Sequence, residues 1–329
     1  MRKLMNILSS AVILTALGSC ENTIDTIKVS GEDEIMMNAL MDVNDDVHIV
    51  YLSHGQGDDF RPYATKGELQ CYVNGQLAAT AKAKSYYDLY FCKAYVFNAG
   101  FKAGDKVKLT LEEGLSAEVT VPQSPQILDI DTSYFENPSN IHSSVFFLRT
   151  RLQDVPHEEN YYSFNVNAEV YKGWNLRDTT HDRRVTLFTD NEPLLKEYSS
   201  GNDDNKTFFD DYVKNKYHLF TDKSFADNSY VLNVGIYPYD CLWGYYYIKE
   251  NYMHGYDKGG AGVSVIVSSI SPETYRYIKA IESSDFWHFE PVIFPQNVSG
   301  GLGFVSVANS TVWKIRFPDR MIPKDFYGY

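Results

Sequence analysis

The sequence predicts a mainly β protein: an immunoglobulin-like sandwich followed by a larger β-rich, sandwich- or barrel-like domain with a few short helices. Three observations lead there. Tyrosine (26) and phenylalanine (19) are abundant, and both residue types favour strands over helices. Apolar and polar residues alternate with period two in several segments, which puts one face of a strand in a core and the other in water. Turn chemistry separates those segments, above all Asn74-Gly75, a strong two-residue hairpin signal.

Taken in order, His48-Ile49-Val50-Tyr51-Leu52 reads as a strand, and Glu68 to Val73 as another that runs into the Asn74-Gly75 turn. Val107, Leu109 and Leu111 alternate with Lys108 and Thr110. Across the turn Glu112-Glu113-Gly114, Ala117, Val119 and Val121 alternate with Glu118 and Thr120. These segments assign residues 36–122 to the small sandwich. Pro122-Gln123-Ser124-Pro125 marks the boundary, because prolines cannot sit inside a central strand, and residues 123–329 form the larger domain. There Tyr162, Phe164, Val166, Ala168 and Val170 make one apolar row, with Ser163, Asn165, Asn167 and Glu169 on the opposite face. Leu232, Val234 and Ile236 make a second row, and Val263, Val265 and Val267 a third. The polar stretches Arg177–Arg184 and Ser199–Lys206 read as loops.

Helix is sparse. Ser271 is a good N-cap, with Pro272 at the first helical position and Glu273 near the positive end of the dipole. Tyr275, Ile278 and Ile281 then form an apolar stripe out to about Glu282. Shorter helical pieces are expected over Pro193–Tyr198 and Phe208–Asn215.

The first residues carry a different message. Met1-Arg2-Lys3 is followed by an apolar stretch from Leu4 to Leu17. As a helix that stretch spans roughly 21 Å, short of a bilayer core of about 30 Å. A basic head, a short apolar body and the small-residue end Leu17-Gly18-Ser19-Cys20 read as a secretory leader over residues 1–19. The junction resembles the lipobox of bacterial lipoproteins, in which the Cys20 thiol is acylated and becomes the new N-terminus. Residues 20–35 are then a polar tether, and the rest is expected to be held at the membrane by its lipid anchor, facing either the periplasm or the outside.

A formal net charge of −13 argues against nucleic acid and against adhesion to anionic lipid through a basic patch. Beyond Cys20 three cysteines remain. Export makes a Cys71–Cys92 disulfide a candidate, against a reading in which Cys71, Cys92 and Cys241 are buried thiols. No CxxC, GxSxG, HExxH, P-loop or dinucleotide fingerprint occurs, so no catalytic residue, cofactor or metal site is expected. Asp42, Asn44, Asp45 and Asp46 are suggestive of a calcium loop but lack its glycine and its final glutamate, and read as an acidic turn. Ser299-Gly300-Gly301-Leu302-Gly303 leads into a strand and reads as a tight turn or bulge. In Tyr237–Tyr256, six aromatics crowd together: Trp243, Tyr245, Tyr246, Tyr247, Tyr252 and Tyr256. Two readings stand for them, a ligand platform for sugar rings or peptides and the two strands of an aromatic hairpin.

The lipobox, the Phe101-Lys102-Ala103-Gly104-Asp105-Lys106-Val107 end of the small domain and the proline junction recur together in one known family. With Asn160-Tyr161-Tyr162 and Val298-Ser299-Gly300-Gly301-Leu302-Gly303-Phe304, the chain resembles the "domain of unknown function 4249" envelope lipoproteins of Bacteroidetes. That resemblance implies a two-part, mainly β lipoprotein of the outer membrane or cell envelope, of a kind often encoded beside TonB-dependent β-barrel receptors, which makes such a receptor the expected partner. It implies no reaction. The expected role is therefore a non-enzymatic accessory that captures or gates a nutrient ligand, with a stand-alone surface glycan- or peptide-binding lipoprotein as the alternative.

Overall fold

The computed structural model describes residues 35–54, 67–85, 93–112, 114–137, 144–156, 158–171, 179–189, 191–195, 215–238, Cys241, 260–284 and 293–318. Residues 1–34 with Cys20, then Cys92, the six aromatics from Trp243 to Tyr256, the polar stretch 199–206, and residues 196–198 and 208–214 of the two expected helical pieces lie outside them; residues 193–195 of the first piece form a turn and not a helix.

The chain is mainly β, as its alternation requires. The first lobe is a sandwich of β1 (Ile35–Asp42), β2 (His48–His54), β3 (Glu68–Val73), β4 (Gln76–Ser85), β5 (Lys93–Phe97), β6 (Lys106–Leu111) and β7 (Ser116–Thr120). The β3–β4 hairpin turns at Asn74 (φ 52°) and Gly75 (φ 79°), both in the left-handed region that such a turn demands. Asn74 is further held by Asp105, whose carboxylate accepts from Asn74 Nδ2 at 2.8 Å. One end of β4 pairs with β3 and the other with β5, so this long strand swings from one layer to the other. Between the layers lie Met37, Val50, Leu52, Leu69, Tyr95, Val107 and Leu109, all at most 1 % exposed.

The second lobe packs two sheets face to face. One holds β10 (Tyr161–Tyr171), β11 (Thr179–Arg184), β13 (Leu219–Thr221), β15 (Gly260–Ile270) and β16 (Val305–Arg316). The other runs β12 (Leu187–Phe188), β14 (Ser229–Ile236), β9 (Val145–Gln153) and β8 (Gln126–Phe135). The three apolar rows read from the sequence meet here: Phe164, Val166, Leu232, Ile236, Val263, Val265 and Val267 are fully buried. On the outer side of the second sheet, Arg149 pairs with Asp131 (2.5 Å) and Arg151 with Asp129 (3.4 Å) across strands. Among the described strands the large sheet is open, with β11 and β7 at its ends, and does not close into a barrel.

β16 joins the lobes. Its first residues pair in parallel with β1 (Ala39 with Val305, Asp42 with Ala308), and its later ones pair antiparallel with β15. Val298, Val305 and Val307 therefore pack in the first core although they follow most of the second lobe in sequence. The prolines between the lobes are held by side chains of the same strand: Asn309 Nδ2 donates to Pro122 O (2.9 Å) and Thr311 Oγ1 to Pro125 O (2.7 Å).

Two local expectations are corrected. The polar stretch ending at Arg184 is not wholly a loop, because Thr179–Arg184 forms β11 along the edge of β10. An edge strand satisfies its backbone on one side without needing an apolar row. Glu169, expected on a wet face, is 5 % exposed; its carboxylate accepts from Ser264 Oγ, with Lys314 Nζ at 3.6 Å.

The helix α1 (Pro272–Ser284) starts where Ser271 predicts, and Ser271 Oγ accepts the Thr274 N–H at 3.1 Å. Its most buried residues are polar: Thr274, whose hydroxyl meets Ser306 Oγ at 2.6 Å, and Glu282, which accepts from Tyr217 N–H and Lys279 Nζ. Tyr275, Ile278 and Ile281 are half-buried. The helix thus lies on a hydroxyl-rich outer sheet face. Ser271→Ala should cost about 1 kcal/mol of stability, measured by urea denaturation.

Candidate functional site

A cleft of about 440 Å³ opens where the two lobes meet. Glu118 and Thr120 from β7, the linker residues Pro122 and Gln123, the Glu158–Tyr161 entry into β10, the start of α1 and Ser306 of β16 line it. Its position follows from connectivity: the linker, the start of β10 and the β15–α1 turn all converge on β16, the strand both lobes share.

One corner is built on Asn160. Its backbone N–H donates to Asp222 Oδ2 at 2.8 Å. Its side-chain amide nitrogen faces four oxygens: Asp222 Oδ2 (2.9 Å), Val155 O (2.9 Å), Glu158 O (3.0 Å) and Asp154 Oδ1 (3.4 Å). An amide NH₂ has two hydrogens, so acceptors exceed donors. Asp154 Oδ2 takes a further hydrogen bond from Asp227 N–H at 2.7 Å. Asp154 and Asp222 are 3 % and 1 % exposed. Burial raises the Asp222 carboxyl above the usual aspartate value, and its hydrogen bond with Asp154 adds to the rise against the opposing Asn160 bonds. Asp222 therefore holds its proton more tightly than a free aspartate does.

At the mouth, Lys223 bonds Glu159 at 2.9 Å and holds that carboxyl below the usual glutamate range. Burial, then the hydrogen bond to Glu159, pushes the Tyr161 phenol upward. The Tyr161 ring lies 5.1 Å from that of Tyr275, giving one aromatic wall. Glu273 is bonded to Arg276 at 3.0 Å. Carboxylates, amides and hydroxyls beside an aromatic wall are equipped to accept hydrogen bonds from a hydroxyl- or amine-bearing ligand. Among the described residues, no three His, Cys, Asp or Glu side chains stand together as a metal site, and no helix is long and apolar enough to cross a membrane.

The residues singled out in the sequence fall elsewhere. Cys71 is a buried free thiol in β3, and burial pushes it up to about 11, where it is un-ionised and unreactive at neutral pH. Its candidate partner Cys92 lies outside the described residues, as do Cys20 and the six aromatics Trp243, Tyr245, Tyr246, Tyr247, Tyr252 and Tyr256. The near end of that aromatic stretch is fastened to the second lobe: Tyr237 meets Phe188 edge-on at 4.1 Å, and Cys241 is fully buried. In the acidic turn, Asp42 Oδ1 accepts the Asn44 N–H (2.9 Å), Asp42 Oδ2 accepts from Ser310 Oγ, and Asn44 Nδ2 donates to Ser310 O (2.6 Å). These residues staple the end of β1 to β16. The Asn160 corner was not singled out. Its one sequence signal was Asn160 opening a strand, and its acceptors come from Asp154 and Asp222 on other turns.

The family model described as Domain of unknown function (DUF4249) matches residues 21–313. The chain belongs to that family. No curated protein matches it.

Proposed function

We propose that this member of the DUF4249 family is a non-enzymatic, lipid-anchored protein of the outer membrane or cell envelope that captures or gates a ligand for a TonB-dependent receptor. The observation that carries the reading is the Leu17-Gly18-Ser19-Cys20 junction behind a basic, apolar leader. Acylation at Cys20 would tie the chain to a bilayer, since two or more acyl chains hold where one does not. From Cys20 to Ile35 the extended chain reaches at most roughly 50 Å, so the body would work close to that membrane. The cleft between the lobes supports ligand capture, because it gathers fixed acceptors and an aromatic wall on rigid elements.

Two measurements test this. Mass spectrometry of the native protein should find an acylated N-terminal peptide beginning at Cys20, and no such species from Cys20→Ser. Affinity capture from native outer membranes should recover a β-barrel receptor. Repeated capture without one would leave the stand-alone glycan- or peptide-binding reading, which the crowded aromatics of Tyr237–Tyr256 favour.

A further inference from the structure

The cleft between the lobes has a charge that its internal hydrogen bonds do not exhaust. Four glutamates line it: Glu118 from β7, Glu158 and Glu159 before β10, and Glu273 at the start of α1. Among the described residues no lysine, arginine or histidine does. Two of the four are neutralised from outside, since Lys223 bonds Glu159 and Arg276 bonds Glu273. Glu118 and Glu158 make no ion pair among the described residues. Lys108 is the cross-strand neighbour of Glu118 on β6, yet its ammonium does not reach that carboxylate. Each lobe thus contributes one uncompensated carboxylate. Much of the remaining lining is apolar: Val307 and Ile270 are 2 % and 5 % exposed, with Val119 and Pro122 beside them.

A second observation is independent of charge. Ser269 also lines the cleft and is 5 % exposed. The hydroxyls nearby satisfy one another, Ser271 with Thr274 at 3.0 Å and Thr274 with Ser306 at 2.6 Å. The Ser269 hydroxyl has no such partner among the described residues. A nearly buried hydroxyl without a hydrogen bond carries a desolvation cost, which a ligand's donor would relieve.

Carboxylates without counter-charge in a partly enclosed site attract cations and repel anions. An ammonium group is positive and carries three donors and no acceptor, so it can bond a carboxylate and a hydroxyl together. A metal ion needs oxygens closing on one point, and no three acidic or imidazole side chains gather among the described residues. Two separate carboxylates with apolar surface in the same cleft suit two ammonium groups joined by methylenes. The Tyr161 ring adds a π face that attracts a cation.

We propose that the interlobe cleft binds a short aliphatic diamine, with one ammonium at Glu118, the other at Glu158, and the methylenes over Ile270 and Val307. The proposal rests on the reading of this cleft as the place of ligand capture, and names what is captured. It does not depend on the anchor or the receptor, whose own measurements stand whichever way this one falls.

Calorimetric titration of the purified protein at low ionic strength tests it, with 1,4-diaminobutane as the probe. One molecule should bind per chain, and binding should weaken as salt is raised. Glu118→Gln and Glu158→Gln should each weaken it about fivefold, and the double variant should bring it to background. Ser269→Ala should weaken it about threefold. Glu112→Gln removes an exposed carboxylate outside the cleft and should leave binding unchanged. Butylamine, with one charge, should bind more weakly, and the neutral isostere 1,4-butanediol should give no heat. Absence of diamine binding would overturn the proposal, as would butanediol binding as tightly. An equal loss from Glu112→Gln and Glu118→Gln would also overturn it, because the attraction would then belong to the acidic surface at large.

Discussion

Gly303→Ala is expected to destabilise the protein by about 4 kcal/mol or more. Gly303 sits at φ 120°, a conformation that costs an L-residue on the order of 1–3 kcal/mol. An added Cβ would also be driven into the Met37 carbonyl oxygen and stand 2.7 Å from Met37 C. That is backbone in a central strand and cannot give way. The segment is held closely for a reason: Leu302 N–H donates to Ile35 O and Met37 N–H to Leu302 O, each at 2.9 Å, while Ser299 exchanges two backbone hydrogen bonds with Ser116 of β7. The Ser299–Gly303 turn therefore stitches β1 to β7 and completes the first sandwich. In urea denaturation the Ala variant should lose cooperativity in the first lobe. Gly100→Ala, an exposed position with no atom near the new methyl, should stay within about 0.5 kcal/mol of the parent. If both variants unfolded alike, the close approach at Gly303 would not be the cause.

The second large effect concerns the buried carboxyl pair, where two substitutions should act differently. Asp222→Ala removes the acceptor of the Asn160 N–H, and should cost about 2–3 kcal/mol as a buried donor goes unmatched. Asp222→Asn keeps an oxygen for Asn160 and offers an N–H to Asp154 in place of the carboxyl proton. The sign follows from the raised Asp222 value. A carboxyl that binds its proton more tightly when folded contributes full stability below the ordinary aspartate value. That contribution is lost as pH rises through the folded value. Asp222→Asn has no proton to lose there, so its melting temperature should rise relative to the parent's as the pH is raised. The difference should shrink towards pH 4. Thermal denaturation at pH 4, 5.5 and 7 reads this directly, and a difference that did not grow with pH would mean that folding does not tighten proton binding at Asp222.

The elements legible in advance were those whose cause is local. The Asn74-Gly75 hairpin needs two left-handed residues, and the sequence supplies the two that tolerate it. Ser271 caps α1 because its hydroxyl and the N–H it serves are three residues apart. The rows Val107–Leu111, Phe164–Ala168 and Val263–Val267 declare a buried face by period alone. The Asn160 corner of the cleft was not legible, because its carboxylates stand six and sixty-two residues away along the chain. Nor was the burial of Thr274 and Glu282, polar residues that a hydrophobic stripe argument places outside. They are buried because hydroxyls and N–H groups from Ser306 and Tyr217 meet them there.

By itself the sequence determined the class of fold, the strands that alternate, the capped helix, and the short-range turns, because each depends on neighbours within a few residues. It also carries, as a linear pattern, the basic and apolar start and the Leu17-Gly18-Ser19-Cys20 junction on which the proposed anchor rests. Tertiary structure alone decided that β16 belongs to both lobes, that the glycine turn before it must lie against β1 and β7, and that a cleft forms at their meeting. A parallel pairing between Ala39 and Val305 leaves no local trace. Its backbone groups would hydrogen-bond equally well to any extended partner, and the choice is made by which apolar faces are left to bury once the rest of the chain has folded.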